Sequence, residues 1–128
     1  MRVAKLAFLV REYDEAIDWF TRCLGFVLVE NADMGAGKRW VVVQPAGGQG
    51  AALLLARAVG EQREAIGRQG GGRVFLFLET PDFDNDHARM KAAGVRFAEA
   101  PRSEPYGKVA VFEDLYGNRW DLLESHSA

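Results

Sequence analysis

The feature that most restricts what this chain can fold into is an internal repeat. Two segments carry the same pattern in the same order, about 70 positions apart. Tyr13-Asp14 recurs as Phe83-Asp84, Leu24-Gly25-Phe26 as Ala93-Gly94-Val95, Gly37-Lys38 as Gly107-Lys108, and Leu54-Leu55 as Leu122-Leu123. A unit of that length seen twice points to two copies of one supersecondary motif, because a solenoid stacks more and shorter copies.

Within the first copy, Val3 to Val10 is apolar and rich in branched residues, which predicts a strand covered on both faces. The period then changes: Ala16, Ile17, Phe20 and Leu24 fall on one helical stripe, Asp14 is the expected N-cap and Gly25 the stop. Three short strands follow at Phe26 to Glu30, Arg39 to Gln44 and Ala51 to Ala56, separated by glycine-rich turns. The second copy predicts a strand at Arg73 to Glu79, a helix at Asp84 to Ala93, and strands at Val95 to Ala98, Lys108 to Glu113 and Trp120 to Glu124. The fold class is therefore α+β, two tandem βαβββ modules in one domain. Module one spans 1–56, a connection with a short helix at Glu61 to Ile66 spans 57–72, module two spans 73–124 and a short tail spans 125–128.

Composition narrows the function. A chain of 128 residues can withdraw roughly two thirds of its surface from water, so a core forms without disulfides or a structural metal. The single cysteine, Cys23, excludes an internal disulfide and belongs with packed thiols; no zinc-module spacing exists. Sixteen basic and eighteen acidic residues, interspersed, argue against a nucleic-acid or membrane partner. No apolar run approaches the roughly 20 residues of a membrane helix, and no signal-peptide pattern follows the N-terminus, so a cytoplasmic protein is expected. Gly35-Ala36-Gly37-Lys38-Arg39 and Gly48-Gln49-Gly50 lack the context of phosphate loops and are expected to be hairpin turns.

The segments Val10-Arg11-Glu12-Tyr13-Asp14-Glu15-Ala16, Trp19-Phe20, Leu24-Gly25-Phe26, Met90-Lys91-Ala92-Ala93-Gly94-Val95 and Phe112-Glu113-Asp114-Leu115-Tyr116-Gly117-Asn118-Arg119-Trp120-Asp121-Leu122 resemble the vicinal oxygen chelate superfamily. This is the glyoxalase, bleomycin-resistance and extradiol-dioxygenase group. The resemblance covers essentially the whole chain. It implies a curved, incompletely closed mixed β-barrel with helices on the convex face and a ligand, usually with a metal, in the concave cup. It also implies homodimers.

Matching the motifs places Lys5 at the family's first-strand His, Phe75 at the second module's His, Asp121 at the closing Glu, and the fourth ligand position near Ala52. Only Asp121 can coordinate a cation, so no metal and no other cofactor is expected. His87 and His126 lie off the predicted cup strands.

Strand alternation sends Lys5 and Ala7 into the cup together, with Phe75 and Phe77 from the second module and Arg119 and Asp121 from the last strand. Lys5 and Asp121 are expected either to pair where relatives hold metal or to be solvated strand ends. Trp40, Trp120 and Tyr106 are candidates for stacking on a planar ligand, and Arg39 and Arg73 for pairing with an anion. His87 is expected to pack in a core or interface. The missing ligands favour a protein that binds or sequesters a small, partly aromatic molecule. The alternatives are a metal-dependent glyoxalase-, epimerase- or dioxygenase-type enzyme, and a metal-independent enzyme using Lys5, Asp121 or Tyr106.

Overall fold

The computed structural model describes residues 1–126; positions 127 and 128 of the expected tail lie outside the described residues. The chain divides into two compact units, Met1–Ile66 and a second beginning at Gly67. Each is built on a mixed sheet, and the fold is α+β with two such sheets.

The first unit runs β1 (Lys5–Val10), α1 (Tyr13–Leu24), β2 (Phe26–Asp33), β3 (Arg39–Pro45), β4 (Ala52–Arg57) and a 3₁₀ turn at Gly60–Ala65. Its sheet has the order β1-β4-β3-β2, with β1 parallel to β4 and the other pairs antiparallel. The buried face of α1 carries Tyr13, Ala16, Trp19, Phe20, Cys23 and Leu24. Phe20 sits at the centre, edge-on to Phe8 at 5.4 Å and to Trp19 at 5.2 Å, and 5.4 Å from Phe26. Gly25 ends the helix in the left-handed region at φ 71°, donating its N–H to the Phe20 carbonyl. Asp14 does not cap it. The cap position is Glu12, without a side-chain bond, while the Asp14 carboxylate takes the Arg39 guanidinium at 2.8 Å. The helix already begins at Tyr13, so Asp14 lies within its first turn, where its charge favours the positive end of the helix.

The second unit runs β5 (Val74–Glu79), α2 (Phe83–Ala92), β6 (Arg96–Phe97), β7 (Arg102–Glu104), β8 (Gly107–Glu113) and β9 (Arg119–Ser125). The sheet order is β5-β9-β8-β6, with β7 also on β8 and β5 parallel to β9. The single strand expected at Val95 to Ala98 is cut to two residues and resumed as β7. Pro101 has no N–H to offer a ladder, and the Glu99 carboxylate, rather than a backbone carbonyl, accepts the Val111 N–H at 3.2 Å. The helix α2 is capped by Asp82, which accepts the Asn85 N–H. Its core contact is an aromatic chain, Phe83 to His87 to Phe97 to Phe112 to Trp120, with neighbouring ring centroids 4.3–5.7 Å apart.

Asp114 pins the turn between β8 and β9. Its carboxylate accepts the N–H groups of Tyr116 and Asn118, the Asn118 amide and the Trp120 indole. Burial nevertheless raises its pKa against these four bonds. The glycine-rich segments 35–39 and 48–50 connect strands, as expected of hairpin turns.

Candidate functional site

In the first unit Phe8, Val10, Leu53, Leu55, Val41 and Val43 are buried and share a register, so they form the face that meets α1. Alternation then puts Lys5, Ala7 and Leu9 on the opposite face, beside Ala52, Leu54 and Ala56 of β4 and Trp40 and Val42 of β3. Trp40 is partly exposed there, and its indole N–H donates to Glu30 at 3.1 Å.

At the end of this sheet, where the β2–β3 hairpin faces the end of β4 and the 3₁₀ turn, lies a cavity of about 600 Å³. Trp40, Leu54, Ala56 and Val59 supply apolar walls; Lys38, Arg39 and Arg57 supply positive charge. Tyr13 organises the two arginines. The Arg39 and Arg57 guanidinium carbons lie 5.1 and 5.6 Å from its ring centroid, and its hydroxyl accepts the Arg39 N–H at 3.1 Å. An apolar cleft of this size with a few fixed polar groups is the usual form of a small-molecule site. Of the residues lining this cleft, Arg39 and Trp40 were candidates from the sequence, whereas Tyr13 and Arg57 were not.

In the second unit Leu76, Leu78, Trp120, Leu122, Ala110 and Phe112 share the face toward α2. Trp120 is therefore core, not a stacking platform; its indole is held by Asp114. Phe77, Arg119, Asp121, Val109 and Val111 occupy the other face. Phe77 is paired with Asp121 across the ladder and is 64% exposed. Phe75 falls at a register shift between Val74 and Leu76 and is half-buried.

Asp121 is not a solvated strand end. It is buried, with 8% of its surface exposed, and its Oδ1 has no hydrogen-bond partner. Burial raises its pKa, against the attraction of Arg102, with Glu99 adding a smaller push upward. Arg102 is itself gripped by Glu104, Tyr106 and Glu99, whose hydrogen bonds hold its guanidinium more strongly protonated than usual. So Tyr106 and Asp121 both relate to Arg102, a residue sequence reading passed over. Arg73 is exposed.

His87 is stacked on Phe83 and tilted against Phe97, and burial followed by Lys91 and Lys108 lowers its pKa, so it stays a neutral packing residue. Burial raises the Cys23 thiol's pKa, which keeps it protonated and inert.

The ladders pair Lys5 with Ala52 and Ala7 with Leu54 in the first unit, and Phe77 with Asp121 in the second. Ala7, Leu54, Phe77 and Asp121 are thus a second possible set, two residues along from Lys5, Ala52 and Phe75. Either set holds a single carboxylate among residues that cannot act as ligands, which does not fit a divalent cation. Among the described residues no group of three His, Cys, Asp or Glu side chains is placed to hold a metal ion.

The family model for the Glyoxalase/Bleomycin resistance protein/Dioxygenase superfamily matches residues 2–122. The chain belongs to this superfamily. Its relatives there include an uncharacterized protein of Shewanella frigidimarina, 52% identical over 124 residues, which are 95% of this chain and 92% of that one. Two superfamily-fold crystal structures are similar over nearly their whole length. UcmS2 is 26% identical with a TM-score of 0.83, covering 96% of this chain and 97% of its own. TnmS3, an antibiotic binding protein from Streptomyces sp. CB03234, is 28% identical with a TM-score of 0.79, covering 98% and 97%. No helix among the described residues of this superfamily member is long and apolar enough to cross a membrane.

Proposed function

We propose that this superfamily member binds a small, partly aromatic molecule and sequesters it without transforming it. The observation that carries the reading is the cleft of the first unit, where Trp40, Leu54 and Ala56 offer an apolar surface bordered by Arg39 and Arg57. Such a surface gains free energy by covering a planar ligand, while the guanidinium groups can pair with a carboxylate or carbonyl on it. The likeness to an antibiotic binding protein supports the same reading.

Pairing into a homodimer accompanies this proposal. It is supported by the edge strand β2, on which Val27 and Val29 are each 47% exposed and Leu28 is 37% exposed. Sedimentation at micromolar concentration is expected to give a dimer; a monomer contradicts the pairing. A cytoplasmic location belongs to the same reading.

A thermal-shift screen of planar aromatic and antibiotic-like compounds, with each hit recovered and weighed by mass spectrometry, tests the function. Hits recovered unchanged, and weakened about tenfold by Trp40→Ala, agree with it. A hit converted to product overturns sequestration. It would favour the metal-independent enzyme, for which Asp121, with its raised pKa, is the available acid or base.

A further inference from the structure

We propose that the cleft of the first unit selects aromatic carboxylates, with the Arg57 guanidinium as the group that takes the carboxylate. The inference deepens the binding function proposed above and rests on it.

The charge around the cleft is one-sided. Lys38, Arg39 and Arg57 line it and no aspartate or glutamate does, in a chain whose net charge is −2. A cationic ligand would meet like charge there. An anion is drawn in, and the apolar walls concentrate the field that attracts it.

The two arginines differ in how far the fold already engages them. Arg39 donates to Asn31 Oδ1 at 3.2 and 3.0 Å and to Asp14 at 2.8 Å. Arg57 has five side-chain N–H donors, and among the described residues none accepts a hydrogen bond from them. The carboxylate that faces it, Glu12, stands 3.8 Å away on a mostly exposed side chain, beyond hydrogen-bond range. An exposed pair of that kind holds a guanidinium weakly.

Arg57 is nevertheless positioned. Its guanidinium carbon lies 5.6 Å from the Tyr13 ring centroid, and the β2–β3 hairpin closes on it at Gly37. There, at φ 79°, a Cβ would stand only 3.3 Å from Arg57 Nη2. Ring and hairpin thus place the guanidinium by packing and leave its N–H groups available. A planar fork held in this way matches the two oxygens of a carboxylate, and its prior ordering lowers what binding must immobilise. With Arg39 engaged, the cleft suits one anionic group, and Trp40, Leu54 and Ala56 cover the ring that bears it.

Calorimetric titration of the whole protein at low ionic strength with 2-naphthoate and with its neutral amide, 2-naphthamide, provides the test. The two probes share the ring and nearly share a shape, and they differ in charge. The wild type is expected to bind 2-naphthoate about tenfold more tightly, the usual scale for a charge-assisted hydrogen bond. Arg57→Gln should bring the ratio of affinities close to one, and Arg57→Lys, which keeps the charge without the fork, should retain part of it. Arg22→Gln removes the same charge from an exposed position on α1 and should leave the wild-type ratio.

Equal affinity of the wild type for both probes, or a preference for the amide, overturns the selectivity and leaves the binding function standing. Failure of both probes to bind removes the aromatic-binding reading and the inference with it. Thermal unfolding of each variant separates a lost preference from a lost fold. A ratio that survives Arg57→Gln in a folded protein, or that falls as far with Arg22→Gln, overturns the role of Arg57.

Discussion

The two units repeat one topology and use it differently. In the first, α1 buries six side chains and Phe20 joins three other aromatic rings, while the far side of the sheet is mostly aliphatic, with Trp40 and a rim of arginines. In the second, α2 buries only Phe83 and Met90, and the far side holds Asp121 beside Arg102 and its carboxylates. Unit one therefore has the heavier core and the apolar cleft. Unit two takes more of its order from polar networks. Duplication supplies a scaffold in which packing and recognition chemistry need not be repeated equally.

The largest effect that could break this contrast comes from the core of unit one. Phe20→Ala removes a ring that is 1% exposed and should cost about 4 kcal/mol in urea unfolding. A loss below about 1 kcal/mol would mean that α1 does not carry the unit.

Next is the polar anchor of unit two. Asp114→Ala strands the Tyr116 and Asn118 N–H groups, the Asn118 amide and the Trp120 indole, and should cost about 3 kcal/mol in the same assay. Unit one has no counterpart: its β3–β4 turn carries the Gly48 N–H to Pro45 carbonyl bond. A neutral result would show that the order of the turn comes from the backbone alone.

The smallest effect sharpens the reading of Asp121. Its folded pKa is raised above the unfolded value of about 3.9. The native state therefore holds the proton more tightly, and the wild type loses stability as pH rises from about 4 through the folded pKa. Asp121→Asn escapes that loss, so its advantage should grow over the same window to about 1 kcal/mol at neutral pH. A variant less stable than the wild type at pH 7 would show that the carboxylate has a partner in the native state.

Much of the fold was legible because each element has its own period and each helix a glycine stop. Phe20 and Leu24 fall at helical spacing before Gly25, and Asp84 to Ala93 lies within two residues of α2 at either end. Register was not legible. Shifts between Val74 and Leu76 and between Leu28 and Glu30 insert residues that a count cannot see. Asp14 also looked like a cap by composition and position, yet the distant Arg39 claims it.

The site was legible in part for a related reason. Trp40 and Arg39 stood out as residue types, but Arg57 and Arg102 resemble any surface arginine in a sequence with interspersed charge. Arg102 acquires its role from β7, where the strand resumes after Pro101, whereas β2 of the first unit runs on as one element. Tyr13 looked like part of a helix start, and only the folded hairpin brings Arg39 to its ring.

The measurement that bears most directly on the central claim is calorimetric titration of 2-methoxynaphthalene, in excess EDTA, into the wild type and Trp40→Ala. The account predicts saturable binding to the wild type that the chelator does not change, weakened about tenfold or more in the variant. Binding that appears only after a divalent metal is restored, or that is indifferent to Trp40, would contradict it.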